Sequence, residues 1–259
     1  MHPELFHIGN FTIYTYAFCI VIGTLVASVY TKWSAKKELG IVNLSNNFFY
    51  LIFIAGFVGG KLFFYLERPI YFFNNPKLML DNFSGGFVFY GSFITIVPIV
   101  IWYLKKSKFP VLQMLDILAI TVTIAHTIGR IGCFFGGCCY GKPTDSFIGM
   151  SFPKTNHITV HPSQLYEITG ILSIMIVLFI IKKKKQFHGQ LFLTYIILYA
   201  ITRAFLELFR GDKRGFIIDG IISHSQFIGI ILILSTLIFY KKLKINKTLK
   251  SKTNEKTIF

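Results

Sequence analysis

Residues 161–185 read "HPSQLYEITGILSIMIVLFIIKKKK". From 163 to 181 the residues are mostly Ile, Leu, Val, Phe and Met, and the run stops at four consecutive lysines, Lys182, Lys183, Lys184 and Lys185. A helix needs roughly 17–25 such residues to cross the hydrocarbon core of a bilayer. Lysines at its end mark the side that stays in the cytoplasm. Comparable stretches recur at 12–30, 47–66, 86–104, 111–130, 190–208 and 217–240. Of the 259 residues, 53% are hydrophobic with Gly left out of the count, and 15% are charged. Soluble domains carry about a quarter charged residues. Without water, backbone N–H and C=O groups must be satisfied within the segment. The predicted fold is therefore an all-α integral membrane protein, about seven transmembrane helices in one bundle.

The net charge of +16 could suggest a nucleic-acid partner, but its placement points to topology. With the N-terminus outside, the cytoplasmic pieces hold Lys32, Lys36 and Lys37, then Lys105, Lys106 and Lys108, then Lys182 to Lys185, and seven further lysines between 241 and 256. The opposite side holds Arg68, Lys77, Lys142, Lys154, Arg210, Lys213 and Arg214 between spans. This alternation obeys the positive-inside rule, and the lysines also suit anionic lipid. No nucleic-acid partner is expected. The first run lacks a basic leader and a small-residue cleavage site, so it reads as a retained span. Residues 1–240 are expected to form the transmembrane domain. Residues 241–259 would form a basic cytoplasmic tail, disordered or lying on the lipid surface.

Several polar groups need a reason to be in such a chain. An arginine at mid-bilayer costs about 2.5–3.5 kcal/mol on insertion scales, so Arg130 and Arg203 either snorkel to the interface or face a cavity. In "RAFLELFR", Arg203, Glu207 and Arg210 stand at i, i+4 and i+7 and share one face if helical. A carboxylate between two guanidiniums fixes their geometry and leaves donors for an anion; a purely structural ladder is the alternative. In "HTIGRIGCFFGGCCYGKPTD", 126–145, the glycines read as a helix end followed by a tight loop that a ligand can approach, or as close helix packing. Cys133, Cys138 and Cys139 match no common zinc spacing, so no metal is expected. Ser163 is a plausible helix cap, with Glu167 near the first turn, while Gln164 and Tyr166 could face a cavity. Tyr16 and Tyr90 sit at outer span ends, where tyrosine is ordinarily an anchor. A working site should open toward the outer half of the bilayer.

"GRIGCFFGGCCYG", "HPSQLYE" and "RAFLELFRGD", in this order among seven apolar spans, resemble the prolipoprotein diacylglyceryl transferase family. Its hallmarks are Gly-Arg-x-Gly-Asn-Phe, His-Pro-(Ser/Thr)-Gln-Leu-Tyr-Glu and Arg-x-x-x-Glu-x-x-Arg. The resemblance covers nearly the whole chain except the basic tail. It implies transfer of a diacylglyceryl group from phosphatidylglycerol to the lipobox cysteine thiol in the signal peptide of a prolipoprotein, in the bacterial inner membrane, with no cofactor. It implies catalytic roles for Arg130, Arg203, Glu207 and Tyr90. It implies substrate binding by Tyr16, Arg130, Gly132, Cys133, Cys138, Gly141, His161, Gln164, Tyr166 and Arg210. Gly129, Phe134, Pro162, Glu167 and Asp116 also fall at family positions. The chain resembles a divergent branch: Cys133 stands where the hallmark has Asn, Cys138 where many members have Glu, and Lys61 where Arg is usual. Tyr90, in Tyr-Gly-Ser, stands where many have His in His-Gly-Gly, and a phenol is a weaker base than an imidazole at neutral pH.

Two other functions compete. One is a related membrane enzyme moving a lipid-derived group to another acceptor. The other is a catalytically silent lipid-binding or transport homologue. A transporter would be expected to show paired broken helices in two halves, and the sequence offers one Gly-broken segment.

Overall fold

The computed structural model describes residues 3–8, 11–66, 69–77, 88–211, 216–218 and 222–256. A helix lies over each of the seven predicted stretches. These are α1 (Thr15–Leu39), α2 (Asn46–Leu66), α4 (Phe89–Lys106), α5 (Val111–Phe135), α6 (Ser163–Lys183), α7 (Gln190–Leu206) and α8 (His224–Lys256), with the short α3 (Pro69–Asn74) after α2. The chain is an all-helical membrane protein. Among the described residues, the helices beginning at Thr15, Asn46, Val111, Ser163 and Gln190 are long and apolar enough to cross a bilayer.

Three small antiparallel hairpins join them: β1 (Glu4–Ile8) with β2 (Phe11–Tyr14), β3 (Met150–Ser151) with β4 (Thr159–Val160), and β5 (Phe216–Ile218) with β6 (Ile222–Ser223). The first and last take the opening residues of stretches expected to be helical. At the far end, α8 continues to Lys256. Residues 241–256 are thus helical rather than irregular; they contain neither Gly nor Pro, and lysine is a good helix former.

The chain divides into two compact units, residues 1–34 with 115–259, and residues 35–114. In the second unit, α2 and α4 approach through small residues. A Cβ added at Gly59 or at Gly91 would lie 2.7 Å from the other residue's carbonyl oxygen. At the same contact Ser92 Oγ donates to the Gly56 carbonyl (2.7 Å) and Thr95 Oγ1 to the Ala55 carbonyl (3.0 Å). Such hydrogen bonds and backbone approach join helices where lipid supplies no hydrophobic drive. Lys61 is buried there, its Nζ 5.4 and 5.6 Å from the Phe64 and Tyr65 ring centres.

In the first unit, α1 packs on α5. A Cβ at Gly132 would come within 2.7 Å of Cys19 Cβ, and Thr31 Oγ1 and Thr121 Oγ1 share a hydrogen bond of 2.8 Å. On α6, Gln164, Glu167, Ile171, Ile174 and Leu178 form the buried stripe, while Ile176 and Ile180 are exposed on the outer surface. At one end of this unit Asp116, 1% exposed, caps α7. Its carboxylate accepts from the backbone N–H groups of Gly189 (2.8 Å), Leu191 (2.8 Å) and Phe192 (3.1 Å), and from Lys185 Nζ (3.3 Å). An anion at a helix N-terminus is favoured by the helix dipole and satisfies donors left without intrahelical partners. Asp116 and Arg130 are 14 residues apart on α5, roughly 21 Å along the helix. The lysines that follow α6 therefore lie at the opposite end of the unit from Arg130.

Candidate active site

Helix α5 runs through Gly129 and Gly132 and ends at Phe135. The expectation that the helix ends near Arg130 is corrected here, and the loop starts at Gly136. The end is a Schellman motif. Gly137 N–H donates to the Phe134 carbonyl (3.2 Å), Cys138 N–H donates to the Cys133 carbonyl (3.1 Å), and Gly137 takes the left-handed conformation at φ +61°. Arg130 is thus held on a regular helix, one and a half turns before its end.

Glu167, 3% exposed on α6, faces it. Arg130 Nη2 lies 3.0 Å from Glu167 Oε1, and His126 Nε2 lies 3.2 Å from the same oxygen and 3.4 Å from Arg130 Nε. His126 and Arg130 stand one turn apart on α5, which puts both on the face toward α6. The His126 ring lies 5.5 Å, centre to centre, from Tyr199 of α7. Glu167 is therefore the partner of two basic side chains rather than a helix-capping residue. Ser163 is the first residue of α6 and makes no cap; Pro162 occupies that position.

On α7, Arg203 is 6% exposed, and its Nη1 pairs with a Glu207 carboxylate oxygen. Its Nη2 is buried with no hydrogen-bond partner among the described residues, as is Gln164 Oε1. The expected shared face of Arg203, Glu207 and Arg210 holds only for the first two. α7 stops at Leu206, Glu207–Phe209 form a 3₁₀ turn, and Arg210 is extended at φ −78°, ψ 139°. Arg210 instead bridges to Gly141. Gly141 N–H donates to the His161 carbonyl (2.8 Å), and Lys142 N–H to the Phe209 carbonyl (2.9 Å). A Cβ at Gly141 would fall 2.5 Å from Ser163 Oγ and 2.8 Å from His161 Cβ, so this strand crossing requires glycine. The 136–142 loop, the start of α6 and the end of α7 are tied together at this point.

The remaining predicted residues separate into two groups. Gln164 Nε2 donates to the Cys138 carbonyl (2.6 Å) and fixes the loop. Tyr16, at the start of α1, lies beside Gly132 and Gly136, within electrostatic reach of Cys133, Cys138, Cys139 and Arg130. His161 and Tyr166 turn elsewhere: Nδ1 and Oη are 3.1 Å apart, and both rings pack on Phe209. Tyr90 stands in the first turn of α4, in the other unit, and its side chain lies outside the described residues. Cys133, Cys138 and Cys139 bring their sulfur atoms within 4.8 Å of one another. Hydrogen bonding from the Cys133 and Cys138 thiols lowers the Cys139 thiol pKa from its ordinary value against the effect of burial, and the Arg130 and Arg210 charges act in the same direction.

The result is a buried set of guanidiniums, two of them held by carboxylates: Arg130 by Glu167 and Arg203 by Glu207. Such a set can bind an anion through guanidinium forks, and charged groups within membrane helices ordinarily mark a functional path.

The sequence profile described as prolipoprotein diacylglyceryl transferase matches residues 3–241. The chain belongs to this family. It is 35% identical over 240 residues to the phosphatidylglycerol–prolipoprotein diacylglyceryl transferase of Clostridium tetani, covering 90% of this chain and 94% of that protein. It is 30% identical over 245 residues to the second such transferase of Clostridium perfringens, at 93% and 94% coverage. It is 33% identical over 263 residues to that of Rickettsia canadensis, at 96% and 98% coverage. The sequence reading gave no role to His126, although it opens the 126–145 stretch, and Tyr199 stands in no quoted motif. The available signal was the spacing of His126 and Arg130, a second basic group one turn below a buried arginine.

Proposed function

We propose that this protein is a phosphatidylglycerol–prolipoprotein diacylglyceryl transferase. The observation that carries the reading is the Arg130–Glu167–His126 cluster, set beside Arg203 with a guanidinium nitrogen left over. Phosphatidylglycerol carries a phosphodiester anion, whose oxygens suit guanidinium donors. The sulfur of the lipobox cysteine attacks the glyceryl carbon that bears the phosphate ester. A C–S bond forms, the C–O bond breaks, and its electron pair leaves on glycerol phosphate. The thiol proton is released to a base or to the departing group. Negative charge grows on the phosphate oxygen in the transition state, and guanidiniums already held in place stabilise it without reorganisation.

Glu167 and Glu207 keep Arg130 and Arg203 tolerable inside the membrane and fix their forks. Arg210 and Gly141 hold the loop over the site, and Gly132 lets Tyr16 approach. Cys133 and Cys138, when no metal is bound, line the site as small, weakly polar groups. For Tyr90, a role with the thiol or the phosphate rests on the family resemblance alone. The lysine pattern supports seven crossings of the inner membrane, with the N-terminus outside, the tail in the cytoplasm and the cationic cluster toward the outer leaflet. No cofactor takes part in this scheme.

The test is complementation of a bacterial cell depleted of its own diacylglyceryl transferase. Restored growth with thioether-modified lipoprotein supports the assignment. Expression in the membrane without modified lipoprotein would favour a silent lipid-binding homologue, and modification of a different acceptor would favour a related transferase.

A further inference from the structure

The three cysteines of the loop are separate in sequence and together in space. Cys133 is on the last turns of α5. The Schellman motif folds Cys138 back so that its N–H meets the Cys133 carbonyl, and its sulfur lies 3.7 Å from the same oxygen. Cys139 then adopts φ +63°, a left-handed conformation that a residue with a side chain rarely takes. That turn directs the third thiol to the other two, and the three sulfurs lie within 4.8 Å of one another. Cys133 is buried and the other two are half-buried. Strained backbone is ordinarily held where the local geometry has a use.

We propose that Cys133, Cys138 and Cys139 form a binding site for a soft, thiophilic cation of the Cu(I) or Zn(II) class. Three thiolates around such an ion, at bond lengths near 2.3 Å, would have sulfur separations of about 3.8–4.0 Å. The three sulfurs, within 4.8 Å of one another, would close by at most about 1 Å to hold it. Thiolate ligands select Cu(I) and Zn over the hard cations. Three thiolates around either ion leave a net negative complex, and Arg130 and Arg210 lie within electrostatic reach of Cys139 to offset it. Sequence spacing alone did not reveal the site, because its ligand geometry is created by two left-handed residues, Gly137 and Cys139. The site does not depend on the transferase reading, and the ion is not assigned a part in the transfer step.

The reduced, full-length protein in detergent is titrated with Cu(I) against a chromophoric Cu(I) chelator, and separately with Zn(II) against a Zn(II) chelator. One equivalent per chain is expected for at least one ion, with three sulfur ligands by X-ray absorption, alone around Cu(I) or joined by one solvent oxygen around Zn(II). Cys133→Ser, Cys138→Ser and Cys139→Ser should each weaken binding by about tenfold or more. Cys19→Ser should leave affinity within about twofold, since Cys19 is outside the cluster. Binding of less than half an equivalent of Cu(I) and also of Zn(II), or tight binding unchanged in Cys139→Ser, overturns the proposal. So does a first shell that contains nitrogen or oxygen ligands in place of the sulfurs. Transfer is assayed on the same samples. A wild-type protein that transfers but binds neither ion removes this inference and leaves the proposed function standing. A protein that binds the ion through its three cysteines but does not transfer does the reverse.

Discussion

Arg203 and Glu207 face each other one turn apart, with side chains 7% and 12% exposed. Removing one member of a buried pair leaves the other charge uncompensated, at about 3–5 kcal/mol. Arg203→Ala is therefore expected to lower transfer by about 10²-fold or more, beyond the effect of Arg203→Lys, which keeps the charge but loses the fork. Glu207→Gln should also lower the rate, by freeing the guanidinium. Lys37→Ala should be near neutral. Transfer rates in membranes, normalised to folded protein, give the order; full activity in Glu207→Gln would remove the anion-clamp role. At this scale the sequence made the two arginines and Glu207 legible, because a charge inside an apolar run is conspicuous. It did not reveal that Glu167 serves Arg130 and His126. That pairing joins α5 to α6 across 37 positions of sequence and has no local signature.

At the scale of elements, apolar length predicted the helices well and their ends less well. Glycine lowers helix propensity, yet α5 continues through Gly129 and Gly132, and the bare Gly132 surface lets α1 approach. Arg210 left the predicted helical face because α7 tightens into a 3₁₀ turn at Glu207 and Arg210 itself bridges to Gly141. Both deviations come from contacts between segments, which periodicity does not encode. Gly141→Ala is expected to lower both stability and transfer, since its Cβ would collide with Ser163 and His161 and the backbone of the crossing must shift; overpacking of this kind costs about 1–3 kcal/mol. A thermal-unfolding midpoint unchanged from wild type would contradict that packing. Asp116 gives a contrasting case. It accepts three backbone N–H groups at the start of α7, and hydrogen bonds to a charged group contribute about 1.5–3 kcal/mol each. Asp116→Ala should lower the unfolding midpoint while the molecules that remain folded transfer at the wild-type rate. A loss of rate in fully folded Asp116→Ala would assign this residue to the chemistry.

For the whole molecule, the lysine asymmetry and the position of the cationic cluster make one topological statement. Lys185 follows α6 at the end of the first unit opposite Arg130, and lysines dominate alternate connections. Reporter fusions after Lys185 and at Phe259 should both report the cytoplasm; an external signal from either would reverse the placement of the site. Membrane class and helix order were legible because the bilayer imposes length and polarity on every crossing. The hairpins at the helix ends and the division into two units were not, since no bilayer constraint acts on them. The central claim is that a buried, carboxylate-held arginine cluster receives the lipid phosphate. Its most direct test is transfer by the purified protein from phosphatidylglycerol to a lipobox peptide, comparing wild type with Arg130→Ala at equal folded concentration. The account predicts a loss of about 10²–10³-fold or more with the helical content and detergent-solubilised size unchanged; Arg130→Ala transferring within a few-fold of wild type would contradict it.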